Sequence, residues 1–179
     1  MNSKTRPKIS IATTDHIPSI FEIERKTWVE TYPNEELSIT TDDVSARFDS
    51  KFKKTRSEEI RQEIANKAHS YRVATLKYEK VGYSHLLKEE GYNDFVELYI
   101  LPSFHGQGIG GILIRDALSW FGENKPIRLE VVNYNFHAIE IYKHYGFREN
   151  PNLRQPPEET WNVLPSGLRI PVLFLEKSN

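Results

Sequence analysis

Residues 105–111 read His-Gly-Gln-Gly-Ile-Gly-Gly and lie between an apolar strand-like run and a helical one. Glycines let a backbone come close to phosphates, and a helix N-terminus adds unpaired N–H donors and the positive end of a dipole. Such a loop suits a pyrophosphate. By letters alone, Gly106, Gly108 and Gly111 also satisfy the dinucleotide fingerprint G-x-G-x-x-G. Context argues against that reading. Fingerprint glycines directly follow the first strand of an all-parallel sheet. Here LPSFH separates Ile100 from Gly106, and only 68 residues follow Gly111. Glu130, where a ribose-binding acid would be sought, falls mid-strand. No Lys-Ser or Lys-Thr follows the glycines, so a phosphate loop of the nucleotide-hydrolase type is excluded. A plain tight turn remains the bland alternative, although four glycines in six positions exceed what one turn requires.

The elements that must position this loop are readable from periodicity. Residues 1–8 are polar and expected to fray as a disordered N-terminal segment. Residues 9–12 suit a short strand. Ile17, Ile20, Phe21, Ile23 and Trp28 then recur at helical spacing, with Thr14 or Asp15 as cap. Residues 28–43 are expected as a loop ending in the helix-start signal TTDD. A charged helical region, in one or two pieces, reaches about residue 67, its charges read as a solvated face. Strands are expected over 71–77, 80–88 and 94–100, joined by linkers short enough for hairpins. A helix over 109–121 follows, then a strand at 127–131. A helix over 136–145 stops at Gly146. Strands near 159–164 and 169–176 complete an α+β, three-layer fold with a central, mostly antiparallel mixed sheet, in one domain over 9–179.

Residues 97–113 (ELYILPSFHGQGIGGIL) and 135–147 (NFHAIEIYKHYGF) together resemble the GNAT (GCN5-related) N-acetyltransferase superfamily. The first is similar to its acetyl-CoA pyrophosphate loop, Q/R-x-x-G-x-G/A, with His105 where Gln or Arg is usual. The second is similar to its Asn-x-x-Ala…Tyr…Gly-Phe helix, through Asn135, Ala138, Tyr142, Gly146 and Phe147. The resemblance implies a GNAT fold with a splayed strand pair, and acetyl-CoA as cosubstrate. It also implies direct attack by a primary amine, such as a polyamine, a protein lysine or a protein N-terminus. Backbone groups of Leu98, Tyr99, Ile100 and Leu101 would pair with pantetheine. His105, Gly106, Gln107, Gly108, Ile109, Gly110 and Gly111 would hold the pyrophosphate. Asn135 and Ala138 would contact the cofactor, and Tyr142 would protonate the departing thiolate. Spacing alone favours a packing role for Tyr142, in a stripe with Ala138, Ile141 and Tyr145.

An ammonium must lose a proton before it can attack, and a carboxylate is the usual acceptor. Glu97, between Phe95, Val96, Leu98, Tyr99 and Ile100, is the first candidate, because a charge in such a strand needs a cleft or a partner. Asp94 and His85 are the others. For the acceptor pocket, residues 28–43 hold Glu30, Glu35, Glu36, Asp42 and Asp43 with no lysine or arginine. Trp28 and Tyr32 add π-faces for a cation. Trp28, Glu30 and Tyr32 are the expected substrate-binding residues. A plainer reading has Asp42 and Asp43 starting a helix.

Composition closes other routes. There is no cysteine, which removes disulfides and thiolate chemistry, and the net charge is −1. No nucleic-acid or membrane partner is expected, and no apolar stretch reaches the ~20 residues of a span. The six histidines show no metal-binding spacing, and no metal is expected. A cytoplasmic monomer or homodimer is expected. The alternative function is a non-catalytic acyl-CoA sensor of the same fold.

Overall fold

The structure is a computed structural model and describes residues 6–154 and 160–178. Its elements are β1 (Lys8–Ile11), α1 (Ile17–Thr31), α2 (Thr41–Ala46), α3 (Ser50–Ala65), β2 (His69–Leu76), β3 (Glu79–Lys88) and β4 (Asn93–Ile100), then α4 (Ile109–Phe121), β5 (Ile127–Val132), α5 (Phe136–His144), β6 (Arg148–Glu149) and β7 (Val172–Lys177). The strands form one mixed sheet in the order β1-β2-β3-β4-β5-β7-β6. All pairings are antiparallel except β4 with β5.

The two faces of the sheet are covered by different chemistry. Beneath it, α4 presents Ile114, Ala117 and Phe121 to Phe95, Ile127, Leu129 and Leu175, joined by Tyr142 and Phe147. Above it, α1 presents Ile17, Ile20 and Ile23 to Tyr71, Val73 and Tyr83. Helix α3 docks beside α1 with only two buried residues, Ile60 and Arg56. Burial of one isoleucine contributes roughly 1.5–3 kcal/mol. A helix with so little apolar surface must therefore be held by its arginine as well. The charged stretch over 51–67 is not a uniformly solvated face as the sequence suggests.

Several boundaries differ from the sequence expectation. Helix α1 continues through Trp28 to Thr31, because Trp28 lies at the end of its apolar stripe and is buried. Lys8, expected to fray, opens β1 against Thr75, while residues 1–5 lie outside the described residues. The expected strand near 159–164 is reduced to a single bridge between Val163 and Arg169, and residues 155–159 lie outside the described residues. The two-residue β6 pairs with β7 at Arg148 and Glu149, too short for any periodicity to reveal.

The feature that positions the site is the parting of β4 from β5. They pair only at Asn93 with Ile127 and Asp94 with Arg128. Two residues later β4 carries a bulge: His85 faces Glu97 while Leu86 faces Phe95, leaving Val96 extra. Bulges bend a strand and increase its twist. Beyond it β4 stays with β3 and leaves β5, opening the sheet.

Candidate active site

Two cavities meet at this opening. The larger, about 990 Å³, runs along the far end of β4, over the glycine loop and against α5. The smaller, about 430 Å³, lies between α1, α3 and the β4–β5 parting. Tyr32, Leu98, Tyr99, Asn135, Ala138 and Tyr142 line both.

The floor of the larger cavity is the glycine loop. Gly106 and Gly108 have φ of +72° and +80°, which L-residues with side chains rarely adopt, and Gly108 is the N-cap of α4. The first loop–helix backbone bond is donated by Ile112 to the Gly108 carbonyl. The N–H groups of residues 106 to 111 therefore have no backbone acceptor among the described residues. This run of donors at a helix start suits a pyrophosphate. Gly111 has a second reason to be glycine: a Cβ there would come 2.6 Å from the Tyr145 hydroxyl, which Arg115 holds at 2.7 Å. Gly111→Ala is expected to cost about 1–3 kcal/mol, the usual range for overpacking. Adding Tyr145→Phe, which removes the clashing oxygen, should recover most of it. Chemical denaturation of both variants checks this, and equal losses in the two would refute the clash.

His105 lines this cavity, but its Nε2 lies 2.9 Å from the Ile100 carbonyl, tying the loop to the strand end. Ile109 and Gly110 also line it; Gln107 is exposed and does not. Leu98, Tyr99 and Ile100 line it, whereas Leu101 is buried in the core and donates its N–H to Val81. Asn135 caps α5, its side-chain oxygen accepting from the Ala138 N–H at 3.2 Å. Tyr142 is buried, its ring packed edge-on against Phe95 and Phe147. Both readings of that residue meet here: its ring is core, and the residue lines both cavities. Burial pushes its hydroxyl above the usual tyrosine value, so it stays protonated.

The smaller cavity is acidic and aromatic. Glu24, Glu59, Glu63, Asp94, Glu97 and Glu130 line it with Arg47 and Arg56, among Trp28, Tyr32, Phe52, Tyr99 and Trp161. Of the residues expected to bind substrate, Trp28 and Tyr32 line this cavity and Glu30 lines the larger one instead. Glu35, Glu36, Asp42 and Asp43 line neither cavity. Asp43 closes a capping box with Thr40 at the start of α2, as the plainer reading has it. Trp161, in the segment between β6 and β7, reaches the wall and donates Nε1–H to Glu130 at 2.9 Å.

Arg56 organises the acids. Its Nη2 lies 2.8 and 2.9 Å from the two Glu97 oxygens, its Nε 3.4 Å from Glu24, and its Nη1 3.6 and 3.5 Å from Glu59 and Glu63. The Tyr83 hydroxyl donates to Glu97 at 3.1 Å, and His85 Nδ1 lies 3.7 Å away. Burial alone would raise Glu97. Arg56, then His85 and Tyr83, outweigh it and hold the carboxyl at about 2. Glu24 has the opposite balance: burial wins over its looser contact with Arg56 and pushes it to about 7. Neither Glu24 nor Arg56 is marked by any motif. The only signal was an acid at position 24 inside the apolar stripe of α1.

Glu63, His69 and His85 bring one metal-competent atom each within 4.8 Å of one another, a set assembled from α3, β2 and β3 that no sequence spacing displays. The two imidazoles already face each other, His69 Nδ1 lying 2.8 Å from His85 Nε2. With ring planes 19° apart and centroids 5.1 Å apart, they meet edge to edge, the geometry of a hydrogen-bonded pair.

Comparison with known proteins bears on this geometry. The acetyltransferase (GNAT) domain family matches residues 67–149. No curated protein matches the sequence. Among solved structures, the PaiA N-acetyltransferase of Thermoplasma acidophilum, in complex with coenzyme A, superposes with a TM-score of 0.74 at 17% identity, over 97% of this chain and 99% of that one. The ribosomal-protein-S18-alanine N-acetyltransferase of Escherichia coli gives 0.65 at 17% identity, over 96% and 92%. Ard1 of Thermoplasma volcanium gives 0.65 at 20% identity, over 96% and 97%. At such identities the likeness is one of fold.

Proposed function

Taking as premise a GNAT-family acetyltransferase domain, matched over residues 67–149 and carried on that family's fold, we propose that this protein transfers an acetyl group from acetyl-CoA to a cationic primary amine. A polyamine or a protein amine such as a lysine side chain fits that description. The observation that carries the reading is the meeting of the two cavities at Tyr142 across the β4–β5 parting. The larger suits the cofactor, with its pyrophosphate on the free N–H groups of residues 106 to 111. A neighbour of the same fold that holds coenzyme A supports this. Pantetheine would follow the strand edge at Leu98, Tyr99 and Ile100, with the thioester at the junction.

The smaller cavity would take the acceptor. Its acids outnumber its arginines six to two, and Trp28, Tyr32 and Trp161 offer π-faces to an ammonium. The amine nitrogen attacks the thioester carbonyl carbon, and the carbon–sulfur bond breaks. The Tyr142 hydroxyl gives its proton to the departing thiolate and regains one from the new amide nitrogen. The remaining ammonium proton leaves through the acidic wall.

The test is thermal stability with acetyl-CoA, free CoA and NAD in parallel, each near 1 mM. A ligand at 100 times its dissociation constant adds about 2.7 kcal/mol, or about 5–10 °C for a domain of this size. Both CoA species should shift the midpoint and NAD should not. Thiol release can then be followed across an amine panel, with no cysteine of the protein to interfere. Absence of a shift with either CoA species would overturn the cofactor assignment. Preference for an acidic or neutral amine would overturn the acceptor class.

A further inference from the structure

Two carboxylates approach the same guanidinium from opposite elements, and their surroundings differ. Glu97, on β4, is gripped through both oxygens by Arg56 at 2.8 and 2.9 Å and accepts a further bond from Tyr83. Its lone pairs are committed to protein donors. Glu24, on α1, has a single contact, Arg56 Nε at 3.4 Å to Oε2. That contact leaves Oε1 outside the grip of Arg56, and the residue, only 3% exposed, lines the smaller cavity. Trp28 and Tyr32, one and two turns further along α1, form the aromatic wall beside it.

We propose that Glu24, rather than Glu97, takes the proton from the acceptor's ammonium, and that Arg56 and Glu97 form a fixed ion pair that positions it. The assignment rests on the acetyl transfer proposed above. The ammonium N–H bond breaks, its proton passes to Glu24 Oε1, and the electron pair stays on nitrogen for attack on the thioester carbon. Glu24 then returns the proton to solvent.

The proton affinities agree with the geometry. Two carboxyl groups whose environments push them apart identify the one suited to acid–base work. Against an ammonium near 10, a carboxyl whose proton affinity is raised takes the proton more readily than one whose affinity is lowered. The charged and titratable groups around Glu24 are Arg56 on α3, Arg47 just after α2, Glu97 and Tyr99 on β4, Tyr83 on β3 and Tyr32 just after α1. Only Arg56 and Arg47 lower its proton affinity, and burial outweighs both.

The experiment compares pH profiles of kcat for the full chain, Glu24→Gln, Glu24→Asp and Glu97→Gln, with the best amine of the panel and saturating acetyl-CoA. Wild type should lose turnover as pH falls through about 7. Glu24→Gln should lose at least about 100-fold in kcat, together with that limb, while keeping its stabilisation by acetyl-CoA. Glu24→Asp should keep the limb at about tenfold lower kcat, and serves alone if the glutamine variant does not fold. Glu97→Gln should keep a limb, moved to lower pH because the Glu97 charge that raises Glu24 is gone. The inference is overturned if either Glu24 variant stays within threefold of wild type, or if the limb disappears in Glu97→Gln instead. Failure of wild type to turn over any amine would instead overturn the function, and this assignment with it.

Discussion

Tyr142→Phe is expected to lower kcat by about 10²–10⁴-fold, the range general acids contribute, and to leave acetyl-CoA binding within about twofold. The split follows from where the two parts of the residue lie. The ring packs against Phe95 and Phe147 in the lower core, and phenylalanine fills the same space. In the proposed mechanism the hydroxyl carries the chemistry: the residue lines both cavities, and burial keeps the group protonated. Steady-state kinetics with the panel amine and a melting curve with acetyl-CoA measure the two effects separately. Unchanged turnover would return Tyr142 to the packing stripe. A lost acetyl-CoA shift with normal folding would make it a binding residue.

Arg56→Met is expected to destabilise the protein by about 3–5 kcal/mol, the usual result of removing one partner of a buried ion pair. Methionine keeps most of the volume, so the loss measures charge rather than a cavity. Arg61 on the same helix gives the contrast. It pairs with Glu58, but the two side chains are 54% and 55% exposed, so Arg61→Ala should cost no more than about 1 kcal/mol.

The Arg56 deficit should also depend on pH. In wild type Glu97 is held at about 2, so its contribution to stability is full above about 4.5 and is lost as pH falls towards 2. Glu24, raised to about 7, contributes oppositely: full below about 4.5, and lost as pH rises through 7. Without Arg56, burial dominates both carboxyls and both rise. Arg56→Met should therefore be closer to wild type at pH 5 than at pH 8 in chemical denaturation. A deficit independent of pH would mean that Arg56 does not stabilise through the charges of Glu24 and Glu97.

The sequence determined by itself the parts of the molecule that are local. The three hairpin-linked strands, α4 over residues 109–121 and the end of α5 before Gly146 follow from periods of 2 and 3.6 and from a C-terminal glycine, all within a dozen residues. The glycine loop was legible for the same reason: consecutive residues supply its N–H groups, so its chemistry is written in one run of letters. The smaller cavity is not local. Arg56 meets Glu24 across 32 positions and Glu97 across 41, and Trp161 meets Glu130 across 31.

In sequence Arg56 is one of several cations on a helix that reads as solvated. Glu97 looks available for proton transfer because its partner is out of view. An apolar pattern indicates which face of an element seeks the core. Which charge a distant charge neutralises is decided only when the chain closes, because Coulomb attraction and burial depend on separation in space. Tertiary structure alone therefore gave two glutamates of the same chemistry opposite proton affinities. It did so by placing one in the full grip of Arg56 and Tyr83 and leaving the other with a single long contact.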